Sequence, residues 1–329
     1  MKFRTEIDVK PLARQFGYDS RLFAVGSCFA DHVSARLAAA GFRIAANPAG
    51  VMFNPLSAAD TIGRCAARQH VDPSELGEGD EGWFHFGFHG SFSRSTPKEA
   101  AEAMNRAVDE GHRALTEADT VIVTFGTAYV FRLTENCVTV ANCHRQPASM
   151  FSRERLTVGE ITERWGRLME NELRDRHVIL TVSPVRHLAD GLEGNMLGKS
   201  ILRVAAAEIA ERYENADYFP AYEILCDDLR DYRFYADDLV HPSAAAVGYV
   251  WEKFAAAALT AEARGVAAQV EAIVAAAAHR PLHPGTESHR AFCRRQLEAA
   301  EALQRSAGVD LGAEIARFAE ALQAEEPDE

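Results

Sequence analysis

A serine that stands between a predicted strand and a predicted helix is the first feature of this sequence that points to chemistry. Ser27 lies in the segment 26–30 (Gly-Ser-Cys-Phe-Ala), directly after the apolar run 22–25. In an open α/β sheet, ligands bind at the carboxyl ends of the strands. The first amides of the following helix can donate to a developing oxyanion. The position therefore predicts a nucleophile, and the alternative is a serine that only caps the helix.

A carboxylate and an imidazole occur together much further along the chain. Asp238 precedes His241 by three residues, in the segment 235–243. A neutral imidazole accepts a hydroxyl proton when its other ring nitrogen is held by an acceptor, and a carboxylate three residues earlier in a tight turn can reach that nitrogen. The spacing predicts that His241 is a general base held by Asp238. The alternative is that both residues only shape the turn before a helix capped at Ser243.

The elements that would position these groups alternate along the chain as in a parallel sheet covered by helices. The Val/Ile-rich runs 120–125 and 177–182 are typical of strands buried on both faces. The other predicted strands are 22–25, 42–45 and 218–225. The predicted helices are 29–40, 57–69, 97–117, 157–175, 196–213 and 243–260. Two segments, 82–89 and 128–141, predict hairpin-like excursions at the edge of the sheet.

The composition changes after residue 258, so we divide the chain into a domain of residues 1–258 and a helical extension of residues 259–329. The extension is rich in Ala, Glu, Gln and Arg and is interrupted at 280–285. We expect its helices to dock or to form a homo-oligomer. The alternative is a solvated helical tail that ends in a disordered Glu-Glu-Pro-Asp-Glu segment.

The charge and the apolar content exclude several classes of partner. The chain has 329 residues, 47% of them hydrophobic, and a net charge of −13, which disfavours binding to nucleic acid or to an anionic membrane. No run approaches the roughly 20 apolar residues of a membrane span, and the charged N-terminus does not resemble a signal peptide. The six scattered cysteines indicate reduced thiols. We therefore expect a cytoplasmic protein.

Further segments make the sequence similar to a known family. They are 47–55 (Asn-Pro-Ala-Gly-Val-Met-Phe-Asn-Pro), 124–128, 141–144, 181–187 and 232–235. Together with the pentapeptide at 26–30 and the Asp-x-x-His spacing, they resemble the GSCFA family, within the larger set of SGNH/GDSL-like hydrolases. The resemblance covers approximately residues 20–255. It implies a three-layer α/β/α, flavodoxin-like parallel sheet and a catalytic set of Ser27, Asp238 and His241.

The resemblance also implies an oxyanion hole, from which this chain departs at one position. The wider superfamily uses the amide of the serine, here Ser27, the amide of a glycine, matched by Gly50, and an asparagine side chain after the third strand. This chain has Ala128 where that asparagine is expected. We expect either Thr127 or Asn142 to supply the missing hydrogen bond.

Polar residues in the neighbouring loops are candidates for substrate binding. His89, His144 and His187 are predicted near the carboxyl edge of the sheet, where they would suit a hydroxylated ligand, and Arg186 or Arg145 would hold an anionic group. The alternatives are structural histidines and surface ion pairs. The histidine spacing matches no metal-ligand motif, so no metal site is predicted.

These residues together predict a serine esterase that acts through an acyl-Ser27 intermediate and needs no cofactor. The expected substrate is a small-molecule or glycan ester, such as an acetylated carbohydrate. Cys28 is a rival nucleophile, because a thiol at a helix N-terminus can have a lowered pKa. Two other functions stay open, an acyltransferase with the same triad and a non-catalytic binding or scaffold module. For the enzyme, we expect activity to rise as His241 loses its proton.

Overall fold

The computed structural model of this protein describes residues 4–323. Its strands, in chain order, are β1 (Arg21–Gly26), β2 (Arg43–Ala46), β3 (Gly77–Gly79), β4 (Gly82–Phe84), β5 (Thr120–Phe125), β6 (Tyr129–Leu133), β7 (Thr139–Val140), β8 (Phe151–Arg155), β9 (His177–Val182) and β10 (Ala216–Phe219). Its helices are α1 (Cys28–Ala39), α2 (Pro55–Ala67), α3 (Pro97–Glu117), α4 (Val158–Glu170), α5 (Gly191–Arg212), α6 (Ala221–Glu223), α7 (Ala244–Ala258), α8 (Ala261–Ala278), α9 (Glu287–Ala307) and α10 (Gly312–Gln323).

Five strands form a central sheet in the order β10-β9-β5-β1-β2, and every neighbouring pair in it is parallel. This is the doubly wound order of flavodoxin-like folds, in which the chain starts at the inner strand β1, adds β2 at one edge and then adds β5, β9 and β10 on the other side of β1. The carboxyl ends of β1, β5 and β9 therefore meet at one edge of the sheet. The prediction of a parallel α/β sheet is confirmed.

Each face of the sheet packs on its own layer of helices, because successive side chains of a strand point to opposite faces. Phe23 and Val25 of β1 belong to a core with α2, α3, α4 and α5. Leu22 and Ala24 belong to a second core with α1 and α7. The result is the three-layer α/β/α arrangement that the sequence predicts.

The last predicted strand is wrong beyond its first two residues. We predicted a strand over 218–225, but β10 ends at Phe219, and the chain continues as α6 and a π-helical turn over Ile224–Leu229. Pro220 has no amide hydrogen to continue the ladder. The buried residues that follow, Ala221, Ile224 and Leu225, then recur at helical spacing.

The two predicted excursions form small sheets that are separate from the central one. β6 and β7 make the hairpin expected over 128–141, and β8 adds a third antiparallel strand that was not predicted. Only the first three residues of 82–89 are a strand, β4, which pairs with β3. The three-stranded sheet lies in the chain between β5 and β9, so it leaves the central sheet at the edge where Ser27 lies.

The C-terminal region is helical, as predicted, with α8, α9 and α10 around a core of their own. Tyr18 connects this core to the α/β domain, because its ring stacks on Phe42 at 4.2 Å and also packs against the C-terminal core. The predicted disordered segment at the C-terminus lies outside the described residues. Within residues 4–323 no helix combines the length and the apolar character needed to cross a membrane.

Candidate active site

The turn that presents Ser27 depends on a glycine at the end of β1. Gly26 has φ +145°, and a Cβ at this position would lie 2.3 Å from the carbonyl oxygen of Thr124 on β5. Only glycine allows the two strands to approach this closely. The Gly26 amide donates to the side-chain oxygen of Asn47 at 2.8 Å. These contacts fix where β1 ends and where Ser27 begins α1.

The hydroxyl of Ser27 is buried and has no hydrogen-bond partner among residues 4–323. A buried polar group left in this state costs about 1–3 kcal/mol, so its retention calls for an explanation such as a catalytic role. Gly126 lies beside it. A Cβ on Gly126 would be 3.2 Å from Cβ of Ser27 and 3.4 Å from Nε2 of His187. Ser27 and His187 thus approach each other across a residue that has no side chain.

Asp238 and His241 form the contact that their spacing predicts. Oδ2 of Asp238 lies 2.6 Å from Nδ1 of His241, and Oδ1 accepts the amides of Val240 at 2.9 Å and His241 at 3.0 Å. Hydrogen bonds from the backbone and then the side chain of His241 lower the pKa of Asp238 to about 2. Since Asp238 is ionised, Nδ1 of His241 is the donor and Nε2 is left as the acceptor of a neutral imidazole.

Arg186 holds the loop that carries this pair. Its guanidinium carbon lies 3.9 Å from the ring centre of Tyr235, and Nη1 donates to the carbonyl oxygen of Leu239 at 3.1 Å. The Arg186 amide also donates to the carbonyl of Val240 at 3.2 Å. Arg186 is therefore already engaged in positioning the Asp238–His241 turn, a role that differs from the predicted binding of an anion.

A cavity of about 650 Å³ brings several of the predicted residues together. His241 lines it, as does Cys28, the residue that follows Ser27. The other predicted residues in its wall are His89, Thr127, Asn142, Arg186 and His187. Ser27 itself lies beneath this wall, and no hydrogen bond joins it to His241 in the structure. Catalytic hydrogen bonds are often long in unliganded enzymes and form only when substrate is bound.

The two predicted backbone donors of an oxyanion hole are engaged elsewhere. The Gly50 amide donates to the carbonyl of Asn47 at 2.8 Å, which closes a local turn. The Ser27 amide lies 3.3 Å from the carbonyl of Thr124, a long hydrogen bond that a better acceptor could replace. Their roles as oxyanion donors stay predictions.

The two side-chain candidates each keep a hydrogen to donate. Oγ1 of Thr127 accepts the amide of Tyr129 at 3.1 Å, and its own hydroxyl hydrogen is not used in that bond. Oδ1 of Asn142 accepts the amide of His144 at 2.8 Å, which leaves the NH₂ group as the donor. Both residues line the cavity. Thr127 directly follows Gly126, which lies against Ser27, and is therefore the oxyanion donor that we favour.

The three predicted binding histidines have different environments. The ring of His144 stacks on Phe84 at 4.3 Å, and its Nε2 lies 3.1 Å from the carbonyl oxygens of both His85 and Phe88. These contacts assign His144 to the loop structure, outside the cavity wall. His187 does line the cavity, and burial lowers its pKa to about 4, so this imidazole is neutral at pH 7.

His89 and Arg145 complete the set of predicted binding residues. His89 lines the cavity and caps a short turn, with Nδ1 accepting the amide of Ser91 at 3.2 Å. Arg145 pairs with Glu81 at 2.8 Å on the surface and lies outside the cavity wall, which is the ordinary alternative for such an arginine.

Cys28 is a weak rival for the role of nucleophile. Burial, and then the nearby charge of Asp31, raise the pKa of its thiol. A raised pKa keeps the sulfur protonated at neutral pH and lowers its reactivity.

A buried lysine beneath the site was not predicted. Nζ of Lys199, on α5, donates to the carbonyl oxygens of Gly126 and Ser183, each at 2.6 Å. Its side chain is fully enclosed, and burial lowers its pKa to about 7. The sequence did hold a signal, because Lys199 lies on the helix face that Leu202 and Ala206 share, where an apolar residue is the rule.

An ion pair in the cavity wall was also missed. Arg153 on β8 pairs with Asp190, and its guanidinium carbon lies 4.5 Å from the ring centre of Tyr129 and 5.7 Å from that of Phe131. All four residues line the cavity.

The fold and the site thus define a doubly wound α/β protein with a serine at the end of its first strand and an Asp-His pair in a loop. Cys28, which follows the serine, and His241 of the pair line the same cavity. The sequence matches the GSCFA family over residues 21–254 and the family described as "GSCFA domain protein, C-terminal domain" over residues 270–324. The first match spans well over half of the chain, so this protein belongs to the GSCFA family.

Comparison with other proteins adds little to this. No curated protein matches the chain. Among solved structures, one titled "The structure of a putative platelet activating factor from Streptococcus pneumonia" is 11% identical. The match covers 75% of this chain and 83% of that chain, with a TM-score of 0.36. This likeness is too distant to carry an argument about function.

Proposed function

We propose that this protein is a serine hydrolase of the esterase type, similar to SGNH/GDSL-like enzymes, with Ser27 as nucleophile and His241 as base. The observation that carries the proposal is the 2.6 Å contact between Asp238 and His241 at the wall of the cavity that Cys28 also lines. Ser27, the residue before Cys28, supports the same assignment, because its hydroxyl is buried and has no hydrogen-bond partner among residues 4–323.

In the proposed reaction, His241 Nε2 takes the hydroxyl proton of Ser27 while Oγ attacks the ester carbonyl carbon. The carbonyl π electrons move to oxygen and form the oxyanion of a tetrahedral intermediate. When this intermediate collapses, the bond to the alcohol breaks and His241 returns the proton to the leaving oxygen. Water then attacks the acyl-enzyme by the same steps. Asp238 keeps His241 in the required tautomer and stabilises the imidazolium.

The Ser27 hydroxyl and His241 must come into contact before the first step. Rotation of the Ser27 side chain towards the cavity is the simplest such change, because Oγ is not held by any hydrogen bond among the described residues. The imidazole of His187 faces Ser27 across Gly126 and has to be compared with His241 as the base.

Labelling with a fluorophosphonate probe tests the proposal. We expect the probe to label the wild type and the Cys28→Ala variant at neutral pH but not Ser27→Ala. We expect His241→Ala to abolish the hydrolysis of p-nitrophenyl esters, and His187→Ala to retain part of it. Absence of any Ser27-dependent adduct together with absence of ester hydrolysis would overturn the proposal. Labelling lost only in Cys28→Ala would assign the nucleophile to the thiol.

A further inference from the structure

The wall of the cavity beside His241 is mostly apolar. Its larger apolar and aromatic side chains come from several loops and from the three-stranded sheet, and they are Phe53, Tyr129, Phe131, Val140, Val185 and Val240. We propose that this cavity is an acyl-binding pocket that selects esters of medium-length apolar acyl chains over acetyl esters. This inference rests on the proposed esterase function and names its substrate class.

The charged side chains in the wall are already engaged in contacts within the protein. Arg153 pairs with Asp190 and lies over the rings of Tyr129 and Phe131. Arg186 lies over Tyr235 and donates to a backbone carbonyl. A group that enters the cavity therefore meets the aromatic faces and aliphatic stems of these residues more than free charge.

The volume of the cavity also favours a chain longer than acetyl. At about 650 Å³ it falls within the range of roughly 300–1,000 Å³ that is usual for pockets of drug-sized ligands. The single methyl group of an acetyl ester would leave most of it filled with water. A medium-length acyl chain would displace that water from apolar surface, which is favourable in proportion to the area buried.

Exposed apolar residues extend the wall towards the solvent. Phe53 is 37% exposed and Phe131 is 40% exposed although both line the cavity. Leu188 and Leu239, each next to residues of the wall, are also exposed. Large apolar side chains left open at the mouth of a cavity are typical of a binding site for an apolar ligand.

The polar groups of the wall have other proposed uses. Thr127 and Asn142 are the candidates for the oxyanion, and His241 is the base. His89 and His187 are the imidazoles of the wall that remain for a polar part of the substrate, such as its alcohol side. The acyl side of the ester, rather than its alcohol side, is the part that fits the apolar wall.

A series of p-nitrophenyl esters tests the inference with the full-length protein. Because burial of each methylene contributes about fourfold in affinity, we expect kcat/KM for the octanoyl ester to exceed that for the acetyl ester by at least about 100-fold. Phe131→Ala should reduce this ratio by about tenfold, and Ala189→Trp, which adds a ring at the wall, should reduce it further. Val138→Ala, an exposed apolar residue of the same hairpin that lies outside the cavity wall, is the matched control.

The outcomes separate this inference from the esterase proposal. Ser27-dependent hydrolysis with acetyl preferred over octanoyl would overturn the inference and leave the esterase in place. If no ester is hydrolysed, a binding assay tests the pocket directly. The assay follows the fluorescence of dansyl-undecanoic acid as it binds to the Ser27→Ala variant. Binding that Phe131→Ala weakens and Val138→Ala does not would support the pocket, and absence of binding would overturn it.

Discussion

Nζ of Lys199 donates a hydrogen bond of 2.6 Å to the carbonyl oxygen of Gly126, the residue that separates Ser27 from His187. A second bond of the same length, to Ser183, ties the residue after β5 to the residue after β9. One amine thus links the carboxyl ends of β5 and β9. The position of Thr127, one residue after Gly126, depends on this arrangement.

Replacing Lys199 by Met should lower kcat by on the order of tenfold, because two buried carbonyls lose their donor and the turn at Gly126 relaxes. KM should change less, since Lys199 does not line the cavity. Steady-state kinetics on Lys199→Met measures both. Lys98→Met, at a well-exposed position on α3, is the control, and equal kcat values in the two variants would contradict the role of Lys199.

The Lys199→Met variant should also differ from the wild type in how its stability depends on pH. The pKa of Lys199 is about 7 in the folded protein, below the ordinary value of 10.5, so between these values the unfolded chain binds more protons. The free energy of unfolding therefore gains from Lys199 as the pH rises from about 7 towards 10, by on the order of 1 kcal/mol per pH unit. Urea unfolding at pH 7 and pH 9 should show this gain in the wild type and its loss in Lys199→Met. Identical slopes in both proteins would show that the pKa is not lowered.

Removing the guanidinium of Arg186 should loosen the turn that carries His241. We expect Arg186→Met to lower kcat by about tenfold, because a cation–π contact contributes about 0.5–2 kcal/mol and the bond to Leu239 is lost as well. Hydrogen exchange of the amides in 236–241 should become faster. Arg145→Met, which breaks only a surface ion pair with Glu81, should leave both measurements unchanged.

The lowered pKa of Asp238, about 2, means that this carboxylate stays ionised at neutral and mildly acidic pH. A change of kcat/KM between about pH 8 and 5 is therefore not caused by protonation of Asp238. Asp238→Asn should lower kcat by up to about 10⁴-fold, because the amide no longer selects the correct tautomer. Asp237→Asn, the exposed neighbour, is the control. Equal kcat values in Asp238→Asn and Asp237→Asn would contradict the role of Asp238.

Thr127 is the group we expect to hold the oxyanion, because it follows the glycine that lies against Ser27. Thr127→Val should lower kcat by about 10²–10³-fold, whereas Thr127→Ser, which keeps the hydroxyl, should retain most of the activity. Asn142→Asp keeps the acceptor for the His144 amide and removes the NH₂ donor. A larger loss in Asn142→Asp than in Thr127→Val would transfer the role to Asn142.

Substitution of Gly26 should disturb the packing of β1 against β5 and lower the stability of the protein. A Cβ 2.3 Å from the Thr124 carbonyl forces β1 away from β5, so Gly26→Ala should lower the melting temperature markedly. Gly265→Ala, in the exposed interior of α8 with open space around it, should raise the unfolding free energy by about 1 kcal/mol. Calorimetry on both variants compares the two glycines directly, and similar melting temperatures would contradict the close approach.

Much of the fold was readable from the sequence because the central strands are continuous apolar runs. β5 and β9 have the predicted bounds, and α3 begins and ends where its periodicity places it. The error at 218–225 arose from reading an apolar run as a strand through Pro220. Short apolar runs do not distinguish a strand from a buried helical turn.

The contacts of the site that the sequence predicts are those between residues close together in the chain. Asp238 and His241 are three residues apart, so spacing alone was enough to predict their contact. Arg153 and Asp190 come from different elements, and Lys199 reaches its two carbonyls from a third. Such contacts depend on how the layers of the fold pack together. No pattern along the sequence predicts which residues of different elements will meet.

One continuous segment of the chain, between β5 and β9, forms the three-stranded sheet β7-β6-β8. This sheet supplies Tyr129, Phe131, Val140 and Arg153 to the cavity wall. The residues proposed for bond breaking, Ser27 and His241, come from other parts of the chain. In the proposed enzyme, the part of the wall that would select the acyl chain and the residues that would break the ester bond therefore belong to different segments of the chain. Exchange of residues 129–155 between members of the family, with Asn142 retained as a candidate oxyanion donor, would be a direct way to transfer substrate preference while the proposed reacting groups stay unaltered.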